Sequence, residues 1–331
     1  MKYYIIVLIS ILTLSCQTRK NKQNNTNNNK IDLLFESNFE HSLISRGNNF
    51  PDFQYRKDSM DFFLISLHEN ISISDFKKKT KLTDNQIIKI KKLLETKNWL
   101  NYTNGKPEPS VFIATQKDGE KLFKSSIPIA NKVVAEIQKE LPDIKLKFNE
   151  TEISKTQDFE KWSFLILSNV LLDSWQIDNV EKYYLNKEKR PNRHGKNYYY
   201  SIMENTDKNR ETFGIYGNQY EEINGKAISI YGNNRLNISL KESKNEISKL
   251  DNEIFIKIAN DFKPKLIDIL NSEDDYIRKI YKETGYQKEI TFEEFFIWWY
   301  HFMYTQTTEI MNDNNMLIIP ESGNFEYQVN E

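Results

Sequence analysis

Cysteine is almost missing from this chain. One residue, Cys16, stands among 331, which excludes a disulfide-stapled scaffold and any multi-cysteine metal centre. Glycine (10) and proline (8) are also sparse, so collagen-like and proline-rich architectures are excluded. No charge sign dominates: 46 basic residues against 47 acidic ones leave a formal net charge of −1, which gives no general drive toward nucleic acid or anionic membrane. No apolar run approaches the ~20 residues a bilayer-spanning helix needs. The motifs GxSxG, GxGxxG and HExxH are absent, as is a glycine-rich phosphate loop, which weakens an enzymatic reading without eliminating one. Rings are what the chain has in quantity, with 20 Phe and 18 Tyr. Each buries ~150–250 Å², offsetting a hydrophobic fraction of only 38% and arguing against global disorder. The length accommodates two domains.

The amino terminus reads MKYYIIVLISILTLSC. Lys2 precedes a nearly continuous apolar run from Tyr3 to Leu14, and the only cysteine follows Ser15. Twelve apolar residues are too few for an ordinary anchor and have the length of a signal-peptide core. Leu12, Thr13, Leu14, Ser15 and Cys16 resemble the lipobox of bacterial lipoproteins, although Thr13 stands where that family usually has Leu. The resemblance implies removal of residues 1–15 as a signal peptide, then a diacylglycerol thioether and an N-acyl chain on Cys16. Each buried CH₂ contributes ~0.8 kcal/mol, so two or three chains anchor stably. Residues 17–30, QTRKNKQNNTNNNK, contain six Asn, four Lys or Arg and no acid, and 16–30 are expected to be a disordered tether.

Past the tether, a domain is expected over 31–148. Met60–His68 reads as a short apolar helix, Ser74 as the cap of Asp75–Thr80, and Thr83 as the cap of a longer helix, Asp84–Leu100. On the latter, Ile87, Ile90, Leu93 and Leu94 share one face and Asn85, Lys89, Lys92 and Thr96 the other. Asn101–Pro109 is turn-rich, Ser110–Thr115 is a strand, Lys117–Gly119 a turn, and a helix is expected over Asn131–Leu141. The segments ISISDFKKKTKLTDNQIIKIKKLLETKNWLNY and SVFIATQKDGEKL, taken in this order, resemble a winged helix-turn-helix domain.

A second domain is expected over 149–331, α+β with a helical C-terminal part. Phe159–Asp173 is a buried helix and Trp175–Leu185 continues it. Strands at Tyr198–Met203, Thr212–Tyr216, Ala227–Tyr231 and Leu236–Leu240 suggest one antiparallel sheet, with Asn224–Gly225 as a hairpin turn. Helices follow at Glu246–Leu270, Asp274–Thr284 and from Thr291 to Met311, the last with Glu294 at the capping-box position. Met316–Ile319 reads as a short strand. The fold class is α+β: a winged-helix-like N-terminal domain, an antiparallel-sheet region and a mainly helical C-terminal region.

Three constellations bear on function. Residues 74–98 hold eight Lys against three acids; Lys89 and Lys92 suit a partner surface, while export and the lack of Arg in that segment disfavour nucleic acid. Arg190, Arg193, His194 and Lys196 next to Tyr198 and Tyr200 place donors beside aromatic faces, a set suited to a carboxylate, phosphate, sugar or acidic peptide. Trp298 and Trp299 offer core packing or a partner patch. His301 lies seven residues after Glu294, on the same helix face. His41, His68, His194 and His301 are scattered, so no metal site and no catalytic set is expected, and no cofactor.

The expectation is a lipid-anchored cell-envelope protein, on a periplasmic or surface face, that works by binding an envelope protein or extracellular ligand. The alternatives are a motif-less envelope hydrolase or transferase and, if the export signal is misread, a DNA-binding winged-helix regulator.

Overall fold

A computed structural model describes residues 30–205, 215–223, 226–233 and 243–330. They form a mixed α/β structure with small sheets and a helical C-terminal region. The signal sequence, Cys16, the hairpin turn at 224–225 and the strand expected at 236–240 lie outside the described residues, as does most of 212–216. No helix among the described residues is long and apolar enough to cross a membrane.

Contacts divide the chain into two compact units. Unit 1 holds the residues up to Ile113 together with Asn192–Asn205, and unit 2 holds Ala114–Pro191 and the chain from Thr206 onward. The division thus falls at 113/114 rather than after 148. The cause is the long helix that follows, which packs on the two major C-terminal helices of unit 2.

Unit 1 begins with helix α1 (30–36) and strand β1 (Asn38–Ile44). Helices α2 (Met60–His68), α3 (Ile73–Thr80) and α4 (Asp84–Thr96) follow. Ser72, not Ser74, caps α3, accepting from the Asp75 amide at 3.0 Å. Thr83 caps α4 as expected, and Gln86 completes a capping box with it. The helix stops four residues earlier than its apolar pattern suggests. Asn98 takes a left-handed φ of 55° and the Trp99 amide returns to the Leu94 carbonyl at 2.8 Å, an αL ending that Asn tolerates. Ile87, Ile90 and Leu94 are buried, Leu93 packs at their margin, and Asn85, Lys89, Lys92 and Thr96 are exposed. Full burial of each such aliphatic chain contributes ~1.5–3 kcal/mol.

The expected turn region 101–109 is a hairpin of β2 (Leu100–Thr103) and β3 (Lys106–Pro109), with Asn104 and Gly105 both at positive φ. Strand β4 (Phe112–Ala114) then joins β1 and β7 (Tyr199–Asn205) in a sheet ordered β1-β7-β4. Between β4 and β7 in unit 1 comes a two-residue ladder, β5 (Asn192–Arg193) and β6 (Lys196–Asn197). The register of β1 on β7 sets His41 opposite Ile202; Tyr200 and Ile202 of β7, with Tyr198 just before it, enter the core.

Unit 2 opens with α5 (Gln116–Phe148), a helix of 33 residues. It absorbs the turn expected at Lys117–Gly119, because Thr115 and Asp118 form a capping box there. Helix α6 (Phe159–Phe164) runs into a π-helical turn, Leu165–Val170, buried throughout. Helix α7 (Ile177–Tyr183) comes next. The sheet is ordered β10-β11-β9-β8, from β8 (Gly217–Ile223), β9 (Lys226–Gly232), β10 (Glu246–Ile247) and β11 (Asn324–Val329). Only the β10–β11 pairing is parallel. The expected single sheet is thus corrected: its first strand belongs to unit 1, and β11 takes a central place. The strand expected at Met316–Ile319 is irregular chain, and Pro320, with no amide proton to give, follows it.

Helices α8 (Lys249–Ser272), α9 (Asp274–Thr284) and α10 (Phe292–Asp313) complete the unit. Thr291 caps α10 by accepting from the Glu294 amide. A helix apolar on every face belongs inside a protein, and α10 is buried from Phe292 to Thr305 apart from Glu293. Trp298 and Trp299 are 1% and 0% exposed. They are core, and the partner patch expected of them does not lie on the surface.

Candidate functional site

The residues read as a ligand loop divide between the two units. Arg190 lies in unit 2 and the others in unit 1. Arg190 forms a two-pronged ion pair with buried Glu181, Nε donating at 2.9 Å and Nη2 at 3.0 Å. Arg193 is buried and its Nη1 donates to the Asn98 carbonyl at 2.6 Å, at the end of α4. Its guanidinium sits 5.7 Å from the centre of the Tyr198 ring. His194 and Gly195 form the turn of the β5–β6 ladder at φ 54° and 84°. Lys196 Nζ donates to the Asn48 carbonyl at 2.9 Å. Trp99 Nε1 donates to the Tyr198 hydroxyl at 2.9 Å, and Tyr200 meets His41 Nδ1 at 3.0 Å. Arg190 thus serves unit 2, and Arg193, Tyr198 and Tyr200 serve the interior of unit 1. All four are committed to internal contacts, while His194 stands exposed at the turn.

Two clusters of chemistry-bearing groups went unseen in the sequence. In unit 1, His41 Nε2 stands 3.5 Å from Asp61 Oδ2 while its other nitrogen meets Tyr200. Both side chains are buried, beside the stacked pair Tyr55–Trp99. In unit 2, His301 Nε2 lies 4.0 Å from Asp173 Oδ1. Its Nδ1 contacts the Ile297 carbonyl at 2.7 Å, so Nδ1 carries the proton and Nε2 is the bare nitrogen. Burial depresses His301 to about 4 and raises Asp173 to about 7, since a charged form is costly away from water. Burial likewise holds the phenols of Tyr231, Tyr300 and Tyr304 protonated well above their usual range. The π-helical turn feeds this interior: Ser168 Oγ bridges the Tyr231 hydroxyl and Thr308 Oγ1 at 2.5 and 2.6 Å, and Asn169 Nδ2 donates to Tyr327. Such turns recur at functional sites, yet this one serves a buried, hydrogen-bonded lattice.

An open groove lies elsewhere in unit 2. Its volume is about 420 Å³, and it is lined by Ile318, Pro320 and Phe325, with Glu160, Lys161 and Glu326 among its polar residues. Its walls are fixed locally. The Ile318 amide donates to Ser163 Oγ at 3.0 Å and the Ile319 amide to Asn312 Oδ1 at 3.2 Å. Asn324 and Ser322 lock the turn before β11 by bonding to one another. That turn presses on Gly232, where a Cβ would meet the Gly323 carbonyl oxygen at 2.2 Å. Asn324 Oδ1 is buried with no hydrogen-bond partner, and Ile318 is 60% exposed. An apolar wall with a few polar groups is the usual make-up of a small-ligand site. Two carboxylates against one ammonium suit a neutral or cationic ligand that brings a donor.

Lys89 and Lys92 stand exposed on the outward face of α4. No known protein family, curated protein or solved structure matches this chain.

Proposed function

We propose that this is a lipid-anchored protein of the bacterial cell envelope that acts by binding, its ligand a small molecule or a short segment of an envelope protein. Cys16 carries the acyl chains and residues 17–30 tether the globule. The observation that carries the binding reading is the groove of unit 2: its apolar wall and polar rim are accessible, whereas the acid–base pair His301–Asp173 is buried. The order α2, α3, α4 and the β2–β3 hairpin supports the winged-helix likeness of unit 1, with 100–109 rather than 110–122 in the place of the wing. Fold likeness alone does not assign an activity.

Two measurements test this. Cells expressing the wild type or Cys16→Ser are grown with radiolabelled fatty acid and fractionated. Label and membrane association are expected in the wild type alone, and an unlabelled, freely soluble wild type overturns the anchor. Full-length protein with its tether is then used to capture ligands from solubilised membranes, alongside Ile318→Asp. A species retained by the wild type and lost from the variant is expected, and identical retention removes the groove from the reading.

A further inference from the structure

The described residues begin at Lys30, which is held by unit 1. Lys30 Nζ donates to the Glu69 carbonyl at 2.6 Å, at the end of α2. Asp32 pairs with Lys79 of α3 at 2.5 Å. Phe35 stacks on Phe62 of α2 at 4.5 Å and meets Phe76 of α3 at 6.1 Å. Ile31 and Leu34 enter the unit 1 core. Helix α1 is therefore fixed to α2 and α3, with Lys30 held at the end of α2 by Glu69.

The charge there is unevenly spent. Of the lysines in 77–92, Lys77 pairs with Asp84, Lys79 with Asp32, and Lys91 lies over the Tyr102 ring. The acids are also engaged: Asp75 with Ser72 and Glu95 with Tyr102. Lys78, Lys81, Lys89 and Lys92 are exposed, with no acid facing them among the ion pairs of unit 1. Ile88, 61% exposed, sits on α4 beside Lys89. Four exposed ammonium groups on α3–α4 and one projecting aliphatic chain suit the headgroup layer of an anionic phospholipid membrane, where lysines meet phosphates and an apolar side chain enters the acyl boundary.

Geometry supplies the occupant. A coil of fourteen residues has an r.m.s. span of ~20 Å, and α4, at 13 residues, is itself ~20 Å long. An anchor on Cys16 therefore holds residue 30, and unit 1 with it, within ~20 Å of a bilayer, where a weak contact becomes intramolecular. We infer that Lys78, Lys81, Lys89, Lys92 and Ile88 form a face that docks unit 1 on anionic phospholipid. The inference rests on the lipid-anchor reading and adds an orientation to it: the groove of unit 2 binds the ligand, and α3–α4 meets the membrane.

The test uses the full chain from residue 16 with Cys16→Ser, so that no acyl chain contributes. Flotation is compared on vesicles of phosphatidylglycerol with phosphatidylcholine and of phosphatidylcholine alone. Binding to the anionic vesicles only is expected, lost at high salt and weakened about tenfold or more in Lys81→Glu/Lys89→Glu/Lys92→Glu, since each lysine adds its own share near the surface. Arg19→Gln/Lys20→Gln/Lys22→Gln should keep most of the binding, and Ile88→Cys carrying an environment-sensitive dye should shift to the blue on anionic vesicles. Equal binding to both vesicle types, binding carried only by the tether cations, or tight binding of a DNA duplex without vesicle binding overturns the inference. Acylation of Cys16 is read separately, so failure of the docking face and failure of the anchor give different results.

Discussion

His301 and Asp173 face each other in the interior of unit 2 with Nε2 and Oδ1 4.0 Å apart, and burial pushes their proton affinities in opposite directions relative to their ordinary values. At neutral pH the histidine is uncharged and the carboxyl sits near the midpoint of its titration. The pair is thus a contact between groups that each avoid charge, and not a formed salt bridge.

Its signature is a pair of opposing pH slopes. Asp173 is raised to about 7, so between pH ~4 and ~7 the native state holds a proton that the unfolded chain has released, and stability falls as pH rises. His301 is lowered to about 4, so between pH ~4 and ~6.5 the unfolded chain holds the extra proton, and stability rises with pH. In the wild type the two slopes offset one another across pH 4–6.5. Stability from denaturant unfolding across that window should rise steadily with pH in Asp173→Asn and fall in His301→Gln. Two flat profiles would show that neither group is perturbed.

Arg190 and Glu181 are both buried and joined by two hydrogen bonds. Arg190→Leu strands the carboxylate and should cost about 3–5 kcal/mol. Arg190→Leu/Glu181→Leu should recover much of that loss in chemical denaturation. A double variant as unstable as the single one refutes the pairing as the cause.

Gly232 is placed so that any side chain collides with backbone of the 320–323 turn. Gly232→Ala should destabilise unit 2 by roughly 2 kcal/mol or more, as strain at a special backbone position does. It should also reshape the groove, seen as lost ligand retention even at temperatures where the variant is folded.

Thr83 holds the first turn of α4 through its capping box. Thr83→Ala should cost ~1 kcal/mol, whereas Lys89→Glu and Lys92→Glu, which lie on the exposed face, should stay within ~0.5 kcal/mol of the wild type. Thermal melts separate the two classes, and a matching loss in all three variants would contradict the exposed placement.

Local periodicity carried the helices well. The bounds of α2 and α9, the caps at Thr83 and Thr291 and the buried face of α4 all follow from spacing of apolar residues and from side-chain oxygens at helix starts. Pairing across long distances is not written in any window. β1 has no alternating pattern to betray it, because it is held by β7, some 160 residues away. β11 does alternate, Phe325, Tyr327 and Val329 against Asn324, Glu326 and Gln328, but its partner β9 is far from it in the chain. Lys117–Gly119 looked like a turn because Asp-Gly favours one, and the Thr115 cap overrides it. The basic loop misled because charge beside tyrosine reads as recognition when only local sequence is visible; Arg190 and Arg193 are committed to Glu181 and Asn98. The groove had no signature at all, since Phe325, Ile318 and Glu160 converge only through tertiary packing.

β7 lies between β1 and β4 in its sheet. As the polypeptide emerges from the ribosome, both outer strands are made long before the one that joins them. Until residue 205 is available, each presents a bare row of amides and carbonyls, the exposed edge on which misassembly begins. The first hundred residues thus depend on a holding agent, or on speed, to stay out of trouble, and a fragment ending at Ile113 should be sticky rather than folded.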